Sequence, residues 1–241
     1  MEVQNDLLGY GDMKIFQNTE WFCFSIDSVI LARYATVNLT CKKICDFCTG
    51  NAPVSLILST RTKSEIYGIE IQKEIYDLAQ KSVAVNKLDS QIKIINCDVK
   101  CITDELGIES FDLVTCNPPY FEYSEGSNIN ENEIKRIARH EILINLEEII
   151  INAGKLLKNK GYFSMVHRPD RIGEIINLLN KYNFGIKTII PVYAKKSDAH
   201  AKLVFLEAMK NSKPHVHFGK AIYLHEENGE YSALTKKLFQ E

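Results

Sequence analysis

Asn117-Pro118-Pro119-Tyr120 puts the groups that can hold a planar amine into four residues. An asparagine side-chain oxygen and a proline carbonyl can together accept both hydrogens of an NH2 group. A tyrosine ring can stack on the flat group that carries the amine. The ligand class is then an exocyclic base amine or a carboxamide. The tetrad follows Phe111 to Cys116, an apolar run that reads as a buried strand. Two prolines end such a strand sharply, because neither can donate to a ladder. In open α/β sheets, ligands bind at this carboxyl edge. Taken alone, the tetrad reads equally well as a surface turn.

Other candidates lie at other strand ends. Asp46-Phe47-Cys48-Thr49-Gly50-Asn51-Ala52-Pro53 is a small-residue turn feeding a helix N-terminus, where a ligand can approach the backbone closely. Glu70 closes the next apolar run, and Ile71 follows it. An acid there can take both hydroxyls of a ribose. Asp98, followed by Val99, closes the third run and could accept the amino group of an adenine. Three acids at three successive strand ends, with Asn117 on the fourth, outweigh any one of them. A nicotinamide dinucleotide would call for G-x-G-x-x-G, whereas this turn has Gly50 alone.

Alternating strands and helices supply the positions. Expected strands are Lys43 to Cys48, Glu65 to Glu70, Gln91 to Asn96, Phe111 to Cys116, Tyr162 to His167, Gly185 to Tyr193 and Lys202 to Met209. Expected helices are Ile26 to Val37, Pro53 to Arg61, Gln72 to Lys87, Ile102 to Leu106, Leu146 to Leu157 and Pro169 to Tyr182. Lys160-Gly161 reads as the stop after the fifth of these helices. Two aromatic runs, Lys14-Ile15-Phe16 and Trp21-Phe22-Cys23-Phe24, suggest an N-terminal hairpin. The tail reads as a strand from His217 to Leu224, a turn at Glu226-Glu227-Asn228-Gly229 and a helix from Ser232. Residues 121–145 are polar and aperiodic, and read as a lid or substrate loop. This is an α/β fold with a mostly parallel sheet covered on both faces. The last two strands of the sheet are too close in sequence for a parallel crossover, so they read as an antiparallel pair at its edge.

The chain has 241 residues, 45% hydrophobic and 25% charged, which allows one large α/β domain with small additions. Residues 1–40 read as a hairpin and helix extension, 41–210 as the main domain, and 211–241 as a strand-turn-helix appendage. Net charge is −2, so any nucleic-acid contact must come from a local patch. No run reaches membrane-spanning length and no signal segment opens the chain, so the expected location is the cytoplasm. Nothing calls for an obligate protein partner. The seven cysteines read mostly as small buried hydrophobes in a reducing compartment. Cys41, Cys45 and Cys48 have the C-x3-C-x2-C spacing of an iron–sulfur loop. They lie along a strand-like run, however, and no metal site is expected.

With these residues in view, the chain resembles the class I S-adenosylmethionine-dependent methyltransferases, and among them the amino-methylating group with the Asn-Pro-Pro-Tyr motif. It is most similar to the bacterial tRNA (adenine-N6)-methyltransferase family, which acts on the adenosine just 3′ of the anticodon of a valine tRNA. The likeness runs from about Phe24 to Lys210. It is carried by Phe24-Ser25-Ile26-Asp27-Ser28-Val29-Ile30-Leu31-Ala32, the Asp46 turn continuing through Leu58-Ser59-Thr60-Arg61, Gly68-Ile69-Glu70, the tetrad, Ala138-Arg139-His140-Glu141 and His167-Arg168-Pro169-Asp170-Arg171. The resemblance implies a Rossmann-like fold with a seven-stranded, mostly parallel sheet and an antiparallel edge strand. It implies S-adenosyl-L-methionine as cofactor and tRNA as substrate.

By the same resemblance, Asp46, Thr49, Gly50 and Asn51 organise the methionine end of the cofactor, Glu70 and Ile71 the ribose, and Asp98 and Val99 the adenine. Asn117 and Pro118 grip the amine, and Tyr120 stacks on the base. Phe121, Tyr123, Arg139, His140 and Arg168 are expected on the acceptor side, with Lys135, Arg136, Arg171, Lys195 and Lys196 as further candidate phosphate contacts. The family turn usually has glycine where Cys48 and Ala52 stand, and a Cβ at 52 is expected to crowd the cofactor or the helix. Rival readings are a protein glutamine N5-methyltransferase, a DNA adenine or rRNA guanine methyltransferase, and an inactive binder of cofactor and RNA.

Overall fold

The computed structural model of the chain describes residues 1–7, 9–21, 24–120 and 143–240. Eleven strands occur among them: β1 (Glu2–Asp6), β2 (Lys14–Asn18), β3 (Lys43–Phe47), β4 (Glu65–Glu70), β5 (Ile92–Asn96), β6 (Phe111–Cys116), β7 (Leu157–His167), β8 (Phe184–Lys195), β9 (Leu203–Lys210), β10 (His217–Phe218) and β11 (Ile222–His225). The helices are α1 (Ile26–Tyr34), α2 (Pro53–Arg61), α3 (Lys73–Val85), α4 (Ile102–Leu106), α5 (Leu146–Leu156), α6 (Ile172–Lys181) and α7 (Ala233–Leu238).

The central sheet runs β10-β8-β9-β7-β6-β3-β4-β5, with β11 also on β8. Its seven main strands are those expected. β8 and β9 form the expected antiparallel pair, and β9 is antiparallel to β7 as well; β10 lies beyond β8, so β9 is the third strand from that edge. β3 has β4 on one side and β6 on the other, both parallel. The chain reverses its winding there, and a crevice opens beyond the carboxyl ends of β3 and β6.

Both faces of the sheet are covered, which is why its strands read as continuous apolar runs. Cys45, Phe47, Ile69 and Val114 pack under α4, α5 and α6. Ile44, Ile66 and Leu113 face α1, α2 and α3. α1 buries Ser28, Val29, Ile30, Leu31 and Ala32 in succession and ends at Tyr34, so it is a buried helix and not the one-faced helix expected to reach Val37. The Arg61 guanidinium at the end of α2 donates to the carbonyls of Ala32 and Ala35, closing the C-terminus of α1.

Several expectations are corrected. The hairpin pairs Glu2–Asp6 with Lys14–Asn18, not residues 14–16 with 21–24, and residues 22 and 23 lie outside the described residues. β1 is polar and mostly exposed, so it gave no apolar signal. The hairpin is docked instead by polar side chains of α3 and its C-cap. Asn86 Oδ1 accepts from Lys14 N–H at 2.9 Å and Ser82 Oγ accepts from Phe16 N–H at 2.9 Å. Lys160-Gly161 does not stop a helix, because α5 ends at Leu156. It lies in an irregularity of β7, where Lys160 has φ 64° and the register to β6 shifts. The helix expected from Pro169 begins as a 3-10 turn, Pro169–Arg171, before α6. The tail strand is split where Gly219 presses on Ile190; a Cβ there would meet Ile190 Cγ1 at 2.7 Å. Among the described cysteines Cys45 and Cys116 are buried, Cys101 is exposed and the others are half-buried. No helix among the described residues is long and apolar enough to cross a membrane.

Candidate active site

Asp46 is the buried centre of the β3 turn. Its Oδ2 accepts from the Thr49 hydroxyl at 2.6 Å and the Ser55 hydroxyl at 3.1 Å. Its Oδ1 accepts from Thr115 Oγ1 at 2.8 Å, across the ladder to β6. Burial pushes the carboxyl up to about 6 despite these donors. Asp46 therefore builds the turn from beneath and is not part of the cleft wall. Thr49 has room because residue 68 is glycine: a Cβ there would meet Thr49 Oγ1 at 2.9 Å and Ile94 Cδ1 at 2.8 Å.

Above this base the turn is open. Gly50 has φ +59°, and a Cβ added to it would meet nothing within 4 Å. Its N–H donates to Glu70 Oε2 at 3.1 Å, while Gln72 N–H donates to Oε1 at 2.9 Å. These bonds aim the Glu70 carboxylate at the end of β4, and burial pushes it up to about 7. Asn51 lines the cleft while its amide donates to Phe16 O at 2.9 Å, tying the hairpin to the turn. Cys48 and Ala52 both adopt left-handed backbone, φ 54° and 72°. The glycine-type conformation is kept without the glycine. Ala52 is fully buried and caps α2 outside the cleft wall, whereas Cys48 lines the cleft.

The cleft continues between Ile71, Val99, Leu143 and Ile144. Asp98 lies beside them. Its Oδ1 caps the turn of residues 99–101 by accepting from Lys100 N–H at 2.9 Å, and its Oδ2 lies 3.3 Å from Lys100 Nζ. Lys100 Nζ also donates to Leu143 O at 2.9 Å, which fixes the start of the segment leading into α5. That helix opens with a capping box, Asn145 with Glu148. Residues 143–145 of the expected lid are thus an ordered wall and cap. Polar groups at one end (Thr49, Gly50, Glu70) and apolar walls at the other suit a nucleoside with a charged tail.

Asn117 and Pro119, at the end of β6, line this same cleft, as do Phe24 and Ser28 from the N-terminal segment. Asn117 Nδ2 donates to Ser28 Oγ at 3.3 Å. Its Oδ1 accepts from the Tyr120 hydroxyl, which also lies 2.9 Å from Asp27 Oδ2. The Tyr120 ring meets His167 edge-on, with centroids 5.4 Å apart. Tyr120 is absent from the cleft wall, and its contacts are those of a brace for Asn117. His167 is fully buried, with no hydrogen-bond partner for either ring nitrogen among the described residues; burial, with Arg171 nearby, pushes its pKa down to about 4 and so favours the neutral ring. Arg168, beyond it, is half-exposed and paired with Asp170 at 2.8 Å. Phe121, Tyr123, Lys135, Arg136, Arg139 and His140 lie outside the described residues.

The structure thus gathers Thr49, Gly50, Asn51, Glu70, Ile71, Asp98, Val99, Asn117 and Pro119 around one cleft. It adds Phe24, Ser28, Leu143 and Ile144, none of which was read as a site residue. The Phe24–Ala32 stretch already carried the family likeness, and that was the available signal for the first two.

Comparison with known proteins agrees with this geometry. The chain resembles the crystal structure of a predicted O-methyltransferase from Agrobacterium tumefaciens, with a TM-score of 0.70 at 21% identity, covering 88% of this chain and 95% of that one. It also resembles TYW2 of Pyrococcus horikoshii in complex with MeSAdo, with a TM-score of 0.61 at 13% identity, covering 88% and 72%. These likenesses establish the fold. Two relatives named tRNA1(Val) (adenine(37)-N6)-methyltransferase align along nearly the whole chain. The one from Shewanella halifaxensis is 24% identical and covers 90% of each chain, and the one from Phocaeicola vulgatus is 26% identical and covers 98% of this chain and 99% of its own. Residues 40–218 match the family model described as a methyltransferase domain, and the chain belongs to that family: it is a methyltransferase.

Proposed function

We propose that this methyltransferase acts on the N6 amine of an adenine in tRNA, and specifically on the adenosine 3′ of the anticodon of a valine tRNA. The observation that carries the reading is that Asn117 and Pro119 share one cleft with Thr49, Gly50 and Glu70. The relatives' names support the tRNA and the position. Residues 41–210 form the catalytic domain in this reading, with 1–40 and 211–241 as flanking extensions.

S-adenosyl-L-methionine is the methyl donor, and when bound it supplies an electrophilic methyl group on a sulfonium. Gly50 and Thr49 leave room for its amino-acid end, Glu70 takes the ribose hydroxyls, and Ile71, Val99 and Ile144 flank the base beside Asp98. On the acceptor side, Asn117 Oδ1 and the Pro118 carbonyl accept the two N–H bonds of the amine. Adenine N6 is a weak nucleophile because its lone pair is delocalised into the ring. The two acceptors draw that lone pair out of conjugation and stabilise the positive charge that develops on nitrogen. Holding the amine in line accounts for up to roughly 7–11 kcal/mol of barrier. The target base must leave its stack, at a cost of a few kcal/mol that is least in a loop. Arg168, Phe121, Tyr123, Arg139 and His140 are the proposed contacts to the acceptor.

Asn117→Ala is expected to abolish methyl transfer to a tRNA(Val) transcript while S-adenosylhomocysteine still binds, as measured by labelled-methyl incorporation and calorimetry. A transcript with guanosine in place of the target adenosine should accept no label. Full turnover by the variant, or label on a release-factor glutamine or duplex DNA in place of tRNA, would sink the assignment.

A further inference from the structure

An asparagine amide can sit in two orientations, related by a half-turn, that exchange its oxygen and its NH2. Only one of them presents the acceptor that the proposed chemistry needs. In this structure the choice is made by partners. Nδ2 faces Ser28 Oγ at 3.3 Å, and Oδ1 takes the Tyr120 hydroxyl. One accepted bond leaves Oδ1 a second lone pair for a substrate amine. The hydroxyl is itself held, by Asp27 Oδ2 at 2.9 Å. The ring is held too, edge-on to the neutral His167 at 5.4 Å. Asp27 and Ser28 are adjacent residues of α1, which precedes the stretch 40–218 matched by the methyltransferase domain.

We propose that Asp27, acting through the Tyr120 hydroxyl, is a positioning residue that locks the Asn117 amide in its amine-accepting orientation. The lock is set from an element outside the methyltransferase domain, so the N-terminal segment completes the active site. The proposal rests on the function given above for Asn117. The phenol has one proton and two acceptors, Asp27 and Asn117. The phenol proton is directed to Asn117 when residue 27 donates to the phenol oxygen: the Asp27 carboxyl does so in its protonated form, which burial favours, and an asparagine amide does so without titrating. Asparagine can do this and alanine cannot.

Four variants test the lock: Asp27→Ala, Tyr120→Phe, their combination, and Asp27→Asn. Methyl transfer to the tRNA(Val) transcript is followed at saturating cofactor. Asp27→Ala and Tyr120→Phe should each lower kcat by about 100-fold, the scale of an ångström-sized misplacement at a reacting group. KM for the cofactor should stay unchanged. The double variant should be no worse than either single one, because both remove the same lock. Asp27→Asn should recover most of the rate. An acceptor-free readout runs alongside: the Asn117 side-chain NH2 resonances in 15N-labelled protein. A slowly exchanging, resolved pair is expected in the wild type and in Asp27→Asn, and its loss in Asp27→Ala. The proposal fails if Asp27→Ala keeps the wild-type kcat, if the two losses multiply, or if the Asn117 resonances are the same in all variants. If instead the wild type methylates no tRNA but its Asn117 resonances respond as described, the lock stands and the assigned substrate falls.

Discussion

The turn after β3 and the end of β6 sit side by side at the crevice, yet they are held in opposite ways. Asp46 finds Thr49 and Ser55 within its own turn and helix, and only Thr115 from elsewhere. Asn117 finds Tyr120 close by, but Ser28 is 89 residues away, and the Asp27 that fixes Tyr120 is 93 residues away. The turn after β3 is therefore braced largely from its own βα unit, with Glu70 and Phe16 adding a contact each. The end of β6 depends on a separate segment, α1, folding against it. The division suits an enzyme whose methyl donor stays the same while its acceptor is what distinguishes relatives.

Three experiments press on this contrast, in order of expected effect. Asp46→Ala takes the acceptor from the buried Thr115 hydroxyl and leaves those of Thr49 and Ser55 only each other, at 3.3 Å; at ~1–3 kcal/mol per unsatisfied group, chemical denaturation should report a loss of about 3 kcal/mol. Asn117→Ala should cost about 1 kcal/mol or less, since the Tyr120 hydroxyl keeps its contact with Asp27 Oδ2. Equal losses would erase the distinction between a structural and a chemical residue.

The second experiment uses pH. Burial raises Asp46 from 3.8 to about 6 and Glu70 from 4.5 to about 7. The ligand-free folded chain therefore holds protons that the unfolded chain releases, and stability falls as pH rises across those two ranges. Glu70→Gln removes one of these groups, so the melting midpoint of that variant should gain on the wild type as pH rises. In the proposed binding mode the ribose hydroxyls donate to Glu70, which favours its ionised form. S-adenosylhomocysteine should accordingly bind the wild type more tightly at about pH 8 than at about pH 6 by calorimetry. A flat profile would place the ribose elsewhere.

The smallest effect concerns backbone strain. Ala52 sits at φ 72° as the cap of α2, where an L-residue other than Asn or Asp is disfavoured. Ala52→Gly should stabilise the protein by about 1 kcal/mol, or ~2–4 °C in melting temperature for a chain this size. No gain would mean that tight packing around the Cβ offsets the strain.

The same contrast explains what the sequence could and could not disclose. Strands β3 to β6 and helices α2 and α4 were legible because apolar runs, capping turns and strand-end acids all lie within short windows. β1 was not, because a polar strand held by backbone pairing leaves no hydrophobic period. α1 was misjudged in length because it is buried all round, which blurs the one-sided pattern of a surface helix. The acids of the cleft could be named from their positions at strand ends. Asp27 stood in a motif, but its partner on Tyr120 is set by tertiary packing. No local spacing could connect the two. The Leu143–Ile144 wall was hidden in a polar, aperiodic stretch for the same reason.

The tail has a consequence for life in a crowded cell. β10 and β11 lie along β8 over Thr188–Ile189 and Val192–Lys195, taking up donors and acceptors that would otherwise face outward from a long apolar strand. An uncovered strand of that kind recruits other chains. Removing the last thirty or so residues would bare that edge, and the shortened protein is expected to self-associate before it loses its chemistry, as light scattering would show.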